Sequence, residues 1–452
     1  MERNLTTGSV FKNIVFFSLP YLLSYFLQTL YGMADLFIIG QFEGTASTTA
    51  VSIGSQVMHM LTVMIVGLAM GSTVSIGLSV GANDKKRAAV HIGNTVTLFL
   101  SLSIVLTVVL VLLVHPIVNI MSTPTEAVSG TVAYLTICFI GIPFITAYNI
   151  ISSIFRGLGD SKSPMYFIAV ACVANIGLDY LFIGAMRLGA AGAALGTTLA
   201  QAVSVGTALL VIGKRKTGIV MEKAHFKPKR PVLGNLLKIG VPIAVQDGLI
   251  QVAFLLITII ANRRGLIDAA AVGIVEKIIG FVFLVPSSLL AAVSALGAQN
   301  FGAHKPERAV ATLRYAIFIA LGFGFIVSGL VQLIAEPVVG LFTNDSAVQS
   351  AGGQYFRGYI WDCIFAGIHF SFSGYFCACE KSILSFLHNI IAIALVRIPG
   401  VYLTSKLFPA TLFPMGLATA AGSLLSVIIC VIAFAVLSHR KKQAQGGGML
   451  QG

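Results

Sequence analysis

The chain has 452 residues, of which 57% are hydrophobic and only 10% charged, and its net charge is +13. Soluble proteins carry about 25% charged residues and disordered chains are poor in apolar ones, so both classes are excluded. What remains is an integral membrane protein, in which lysine and arginine report orientation before they report any attraction to nucleic acid.

A hydrocarbon core about 30 Å thick requires roughly 20 apolar residues per helix. Twelve stretches meet that need, near 14–40, 50–78, 89–114, 131–155, 164–186, 190–213, 235–261, 269–298, 310–334, 352–377, 384–405 and 412–438. The first is no cleavable signal, because it is too long, contains Pro20 and leads directly into the second. The period-2 alternation of a membrane β-barrel is absent. The expected fold is therefore all-α, with twelve transmembrane helices.

Twelve spans place both termini on one side. Assigning the termini and the even-to-odd connections to the cytoplasm puts 22 of the 29 Lys and Arg residues there. Five fall on the opposite side, and Lys277 and Arg397 stay within spans. By the positive-inside rule both termini are cytoplasmic, and the location is the cell membrane.

The polar stretch from Lys214 to Lys238 divides the chain into halves that resemble each other. Pro20 answers Pro242, Gly81-Ala82 answers Gly302-Ala303, and Phe155 answers Phe376, at offsets of 221 or 222. Six spans per half give both copies the same orientation, so the repeat is a parallel one, two six-helix lobes around a central cavity. The organisation read from this is an N-lobe at 1–213, a cytoplasmic linker at 214–234, a C-lobe at 235–438 and a tail at 439–452.

Charges inside a membrane are costly and mark function. Five acids lie within spans: Asp35, Asp179, Asp247, Glu276 and Asp362. Ser24, Gln28, Tyr31 and Asp35 recur at helical spacing and share one face. Asn175 with Asp179, then Thr146 with Asn149 and Ser153, and Thr197 with Gln201 and Ser204, form further stripes. All four stripes lie in the first half, where they would face one polar pocket. In the second half Asp247 with Gln251, and Asp362 with His369 and Ser373, line a cavity or pack; Glu276 or Asp362 has Arg397 as an available partner.

These residues resemble the MATE (multidrug and toxic compound extrusion) family over essentially the whole chain. The resemblance rests on the duplicated six-span plan and on Pro20 with Gly32-Met33-Ala34-Asp35. It rests also on Phe155-Arg156-Gly157-Leu158-Gly159-Asp160, on Asn175-Ile176-Gly177-Leu178-Asp179 and on Gly297-Ala298-Gln299-Asn300-Phe301-Gly302-Ala303. It implies a cation-coupling site formed by Asp35, Asp179, Asn149, Asn175 and Thr197. Some branches add an acid in span seven, where this chain has Ile250, so it looks more like the DinF-like branch.

The function expected is a secondary antiporter that exports amphipathic, cationic drugs in exchange for protons or sodium, acting as a monomer. Its substrate cavity would include Gln28, Tyr31, Gln201, Asp247, Gln251, Glu276, Asp362 and His369. The alternative is a flippase for a lipid-linked precursor, which would want a strongly basic cavity, whereas the intramembrane charges here are five acids against two bases. No enzyme is expected. Gly77-Leu78-Ser79-Val80-Gly81 lacks the strand-turn-helix setting of a nucleophile elbow, and the six cysteines show no CxxC spacing. No cofactor, metal or nucleic acid is expected, and the basic linker reads as solvated, with anionic headgroups as the other possibility.

Overall fold

The computed structural model describes residues 4–214 and 219–446, and every regular element among them is helical. Arg3, Arg215 and Lys216, which carry part of the orientation argument, lie outside the described residues.

Each predicted stretch finds its helix or helix pair. In the first half these are α1 (Val10–Phe42), α2 (Thr45–Gly81), α3 (Lys85–Leu112) with the short α4 (Val114–Ile120), and α5 (Thr125–Ile140) with α6 (Ile142–Gly157). Then come α7 (Lys162–Asp179), ending in a π-turn at Tyr180–Ala185, and α8 (Gly189–Lys214). The second half has α9 (Arg230–Asn262), α10 (Leu266–Val282) with α11 (Leu284–Gly302), α12 (Pro306–Gly340) and α13 (Ser346–Tyr359) with α14 (Asp362–Ala378). It ends with α15 (Ser382–Ala392), a π-turn at Ile393–Arg397, α16 (Ile398–Leu407) and α17 (Phe413–Gly446).

Among the described residues ten continuous helical segments are long and apolar enough to cross a membrane, counting α7 with its π-turn, α10 with α11 and α15 with α16 as one each, and the α5–α6 pair, bent by 48°, makes an eleventh. The one predicted span left over, 352–377, is α13 with α14, which breaks at Ile360-Trp361 into pieces of 14 and 17 residues. The fourth span of each half is thus broken, at Gly141 in one and at Ile360-Trp361 in the other.

Local chemistry explains where the helices begin. Asp84 accepts a hydrogen bond from Arg87 N at the start of α3, Asp345 from Ala347 N at α13, and Asp160 from Lys162 N and Ser163 N at α7. Each satisfies amides that the first turn leaves without an intrahelical partner. The lateral faces stay apolar and exposed, as at Leu100, Ile104, Val105 and Val108 of α3 and Phe318, Phe325 and Ile326 of α12. Such surface is a liability in water and suited to lipid.

Contacts divide the chain into two units, Met1–Ala244 with Ala298–Ala309, and Val245–Gly297 with Val310–Gly452. The divisions fall inside α9, α11 and α12, so the first half of α9 and the α11–α12 turn with the residues flanking it belong with the first six spans. Glycines explain why. Gly81 lies on the backbone of Gln299 and Gly302 on the backbone of Leu78, while Gly71 and Gly240 do the same with Leu236 and Leu68. Small residues let helix backbones approach this closely.

Two short segments outside the long helices tie unit 1 further. Leu5 and Thr6 are buried. Asn13 Nδ2 donates to Thr7 O at 2.9 Å, Lys305 Nζ to Thr6 O at 3.1 Å and Arg308 to Gly8 O at 3.0 Å. The linker is held by Asn94 of α3, whose Nδ2 donates to His225 O and whose Oδ1 accepts from Lys229 N at 2.7 Å. In unit 2, Ile257, Val272, Val275, Tyr355, Phe356, Tyr359 and Met415 form one apolar core. There Gly358 of α13 lies on Phe413 O and Gly416 of α17 on Tyr355 O.

Candidate functional site

Asp35 stands in the last third of α1, which packs along α7, and α7 packs along α8. That arrangement brings the three stripes of α1, α7 and α8 together. Asp35 lies against Asp179, Thr197 and Asn175, and Thr197 Oγ1 donates to Asp35 Oδ2 at 3.0 Å. One helical step away, Gln201 Nε2 donates to Tyr31 OH at 3.4 Å. Asp35, Asn175, Asp179 and Gln201 are all buried.

The pocket is rich in groups that the protein does not pair. Asp35 Oδ1, both oxygens of Asp179, both amide atoms of Asn175 and Gln201 Oε1 are buried without a hydrogen-bond partner. Native interiors satisfy nearly all such atoms, so a cluster of exceptions calls for an explanation. Two features of α7 and α8 locate Asp179. It is the last α-helical residue before the π-turn of Tyr180–Ala185, a distortion frequent at functional sites. Its carboxylate also fills the space left by the missing side chain of Gly196. By sequence alone Gly192 and Gly196 form a GxxxG step, which speaks only of close helix contact.

Not every expected residue converges. Asn149 is buried, but its Nδ2 donates to Ile145 O of its own helix at 2.8 Å. Ser153 Oγ donates to Ala69 O at 2.6 Å and Ser204 Oγ to Phe167 O at 2.8 Å, so these two join helices. Ser24 turns back to Pro20 O. Gln28 is half-buried, beside the Tyr148 hydroxyl.

The acids of the second half have separate surroundings. Arg397 donates to Asp362 at 2.5 Å and to Ser423 Oγ at 3.2 Å, all three being buried. The ion pair named as an option in the sequence thus forms with Asp362, and Gly422 makes room for Arg397 as Gly196 does for Asp179. Glu276 accepts from Thr258 Oγ1 at 3.1 Å, and Lys277 beside it is exposed. His369 meets the ring of His388, with centroids 5.4 Å apart, and Ser373 bonds to His388 Nε2 at 2.9 Å. Asp247 and Gln251 are half-buried. Their buried neighbour Gln246, which the sequence reading passed over, accepts from Ser385 Oγ at 2.8 Å.

Gly77-Leu78-Ser79-Val80-Gly81 closes α2 as continuous helix, with Ser79 Oγ bonded to Ser75 O. This is not the geometry of a catalytic nucleophile.

Known proteins are similar to this chain over most of its length. The probable multidrug resistance protein YpnP of Bacillus subtilis (strain 168) is 28% identical over 419 residues, 93% of each chain. The multidrug export protein MepA of Staphylococcus aureus (strain NCTC 8325 / PS 47) is 25% identical over 403 residues, 89% of each. A crystal structure of MATE in the bent conformation superposes with a TM-score of 0.91 over 98% of both chains at 22% identity, which establishes the fold. The MatE family model matches residues 20–181 and again residues 242–403. Both ends of the match move by 222 residues, the displacement that separates Pro20 from Pro242. Matched twice in this way over most of its length, the chain belongs to the MatE family of multi-pass membrane transporters.

Proposed function

We propose that the protein is a secondary antiporter, which exports amphipathic organic cations in exchange for protons while alternating between states open to either side of the membrane. One observation carries the proposal: Asp35 and Asp179 face each other in a buried pocket where three of their four oxygens have no donor. Two ionised carboxylates offer each other only acceptors, whereas a protonated one donates to its neighbour. A proton arriving at the pair therefore forms a hydrogen bond that the ionised pair lacks, and its departure removes that bond. Thr197 and Asn175 complete the coupling site, whereas the Asn149 amide is spent on Ile145 O of its own helix. Sodium is the other ion that such an oxygen-rich set would accept.

Export of organic cations fits the charge inside the protein. Arg397 is taken up by Asp362 and Lys277 is exposed, which leaves acid in excess over base. The same balance disfavours a pyrophosphate-bearing lipid precursor. The names of the relatives, multidrug resistance and multidrug export, point the same way. The distribution of basic residues supports cytoplasmic termini, and the reading takes one chain as the working unit.

The test is efflux of a fluorescent organic cation from proteoliposomes, with pH and sodium gradients imposed separately. Transport should follow the pH gradient and be lost in Asp35→Asn and Asp179→Asn. Dependence on sodium alone would replace the proton, and transport indifferent to both gradients would overturn antiport.

A further inference from the structure

The linker between the halves is built onto unit 1 at a defined height. Asn94 grips it at both ends of a short turn through His225 O and Lys229 N, and Thr97 Oγ1 donates to Phe226 O at 2.7 Å. Gly93 lets the His225–Phe226 backbone lie directly on α3. Within the turn, His225 Nδ1 accepts from Glu222 N at 3.0 Å, which fixes its shape. This is an anchored segment rather than a free tether.

Its height is informative. Before Asn94, α3 starts with Lys85, Lys86 and Arg87, all exposed. Beyond Thr97 its outward residues are Leu100, Ile104, Val105 and Val108, exposed and apolar. The grip therefore falls where α3 passes from a basic end to a lipid-suited face, at the level of the membrane interface.

The turn presents two kinds of surface at that level. Val220, Met221 and Phe226 are exposed, Val220 to 75%, although each is apolar. Lys223, Lys227, Lys229 and Arg230 are exposed among them, and Glu222 is the one acid in the segment 219–230. Basic groups interleaved with apolar ones are the composition of interfacial segments, where hydrocarbon takes the apolar side chains and anionic headgroups the cations.

We propose that residues 219–230 form a headgroup-binding platform, with Val220, Met221 and Phe226 at the acyl boundary and Lys223, Lys227, Lys229 and Arg230 holding anionic lipid phosphates of the cytoplasmic leaflet. The platform is independent of the carboxylate pair and of the coupling ion.

The test uses the full chain in nanodiscs of phosphatidylcholine alone or mixed with phosphatidylglycerol. A fluorophore is placed by Met221→Cys in a Cys379→Ser background, the other cysteines being buried. Quenching by lipid spin-labelled near the headgroup should exceed quenching by aqueous iodide and should grow when phosphatidylglycerol is present. The growth should vanish in Lys223→Gln/Lys227→Gln/Lys229→Gln and at high salt, while thermal unfolding of that variant in phosphatidylcholine stays unchanged. Strong iodide quenching that neither lipid label nor lipid charge alters would overturn the proposal in favour of a solvated linker. Shielding from iodide by added inorganic phosphate in phosphatidylcholine discs would also overturn it, assigning the cations to a soluble anion.

Discussion

Gly196 stands against Asp179 so closely that a methyl group in its place would overlap Oδ1. This α8 position therefore sets where the Asp179 carboxylate sits opposite Asp35. Gly196→Ala should displace Asp179 and lower gradient-driven efflux by about tenfold or more, a change of roughly 1.4 kcal/mol in coupling energy. Gly206→Ala on the same helix meets no atom within 4 Å and should leave transport intact while raising stability by about 0.4–1 kcal/mol. Efflux assays on the two variants side by side check this.

Thr197 supplies the one directed hydrogen bond to Asp35 seen among the described residues. A hydrogen bond to a charged group is worth about 1.5–3 kcal/mol. Thr197→Val, which keeps the shape and removes the hydroxyl, should reduce proton-coupled efflux about tenfold or more. Thr197→Ser should restore it. An equal loss in both variants would show that shape rather than the hydroxyl is used.

Arg397 and Asp362 are a buried pair, and removing one partner strands the other charge. Arg397→Met should cost about 3–5 kcal/mol of stability, read as a large fall in thermal unfolding temperature of the purified protein. The double variant Arg397→Met/Asp362→Leu should recover most of that loss, because a well-packed apolar pair of similar volume is often as stable. Full recovery of efflux along with stability would mark the pair as structural.

Gly81 and Gly302 make a reciprocal contact: each lies on the backbone of a residue three positions before the other, Gln299 and Leu78. The internal repeat thus touches its own copy. Backbone cannot move aside as a side-chain tip can, so Gly81→Ala and Gly302→Ala should each destabilise by about 1–3 kcal/mol. The two losses should be similar. Thermal unfolding of the single variants measures them, and a large inequality would show that the two sides of the contact are not equivalent.

Much of the fold was legible because bilayer crossing imposes length and apolarity on contiguous residues. The long runs of α2, α9 and α12 state their spans outright. Harder to read was α13, whose Gln349, Gln354 and Arg357 dilute its hydropathy and whose break at Ile360-Trp361 has no proline to announce it. In the pocket, Asp35, Asn175, Asp179, Thr197 and Gln201 were marked by polarity at helical spacing. Asn149 and Ser153 carried the same mark, yet one bonds its own helix and the other joins α2. Spacing assigns a residue to a face, and several neighbours can share that face.

The sequence by itself determined the membrane class, the twelve spans, the duplication and the rarity of charge that made the two aspartates conspicuous. Those properties are written locally or at a constant offset along the chain. Only the tertiary structure decided that Arg397 belongs to Asp362, that Gly196 shapes the place of Asp179, and that Asn94 holds the basic linker against α3. Each is a meeting of side chains from different helices, set by how backbones pack at their closest approach. A linear pattern holds no record of that distance.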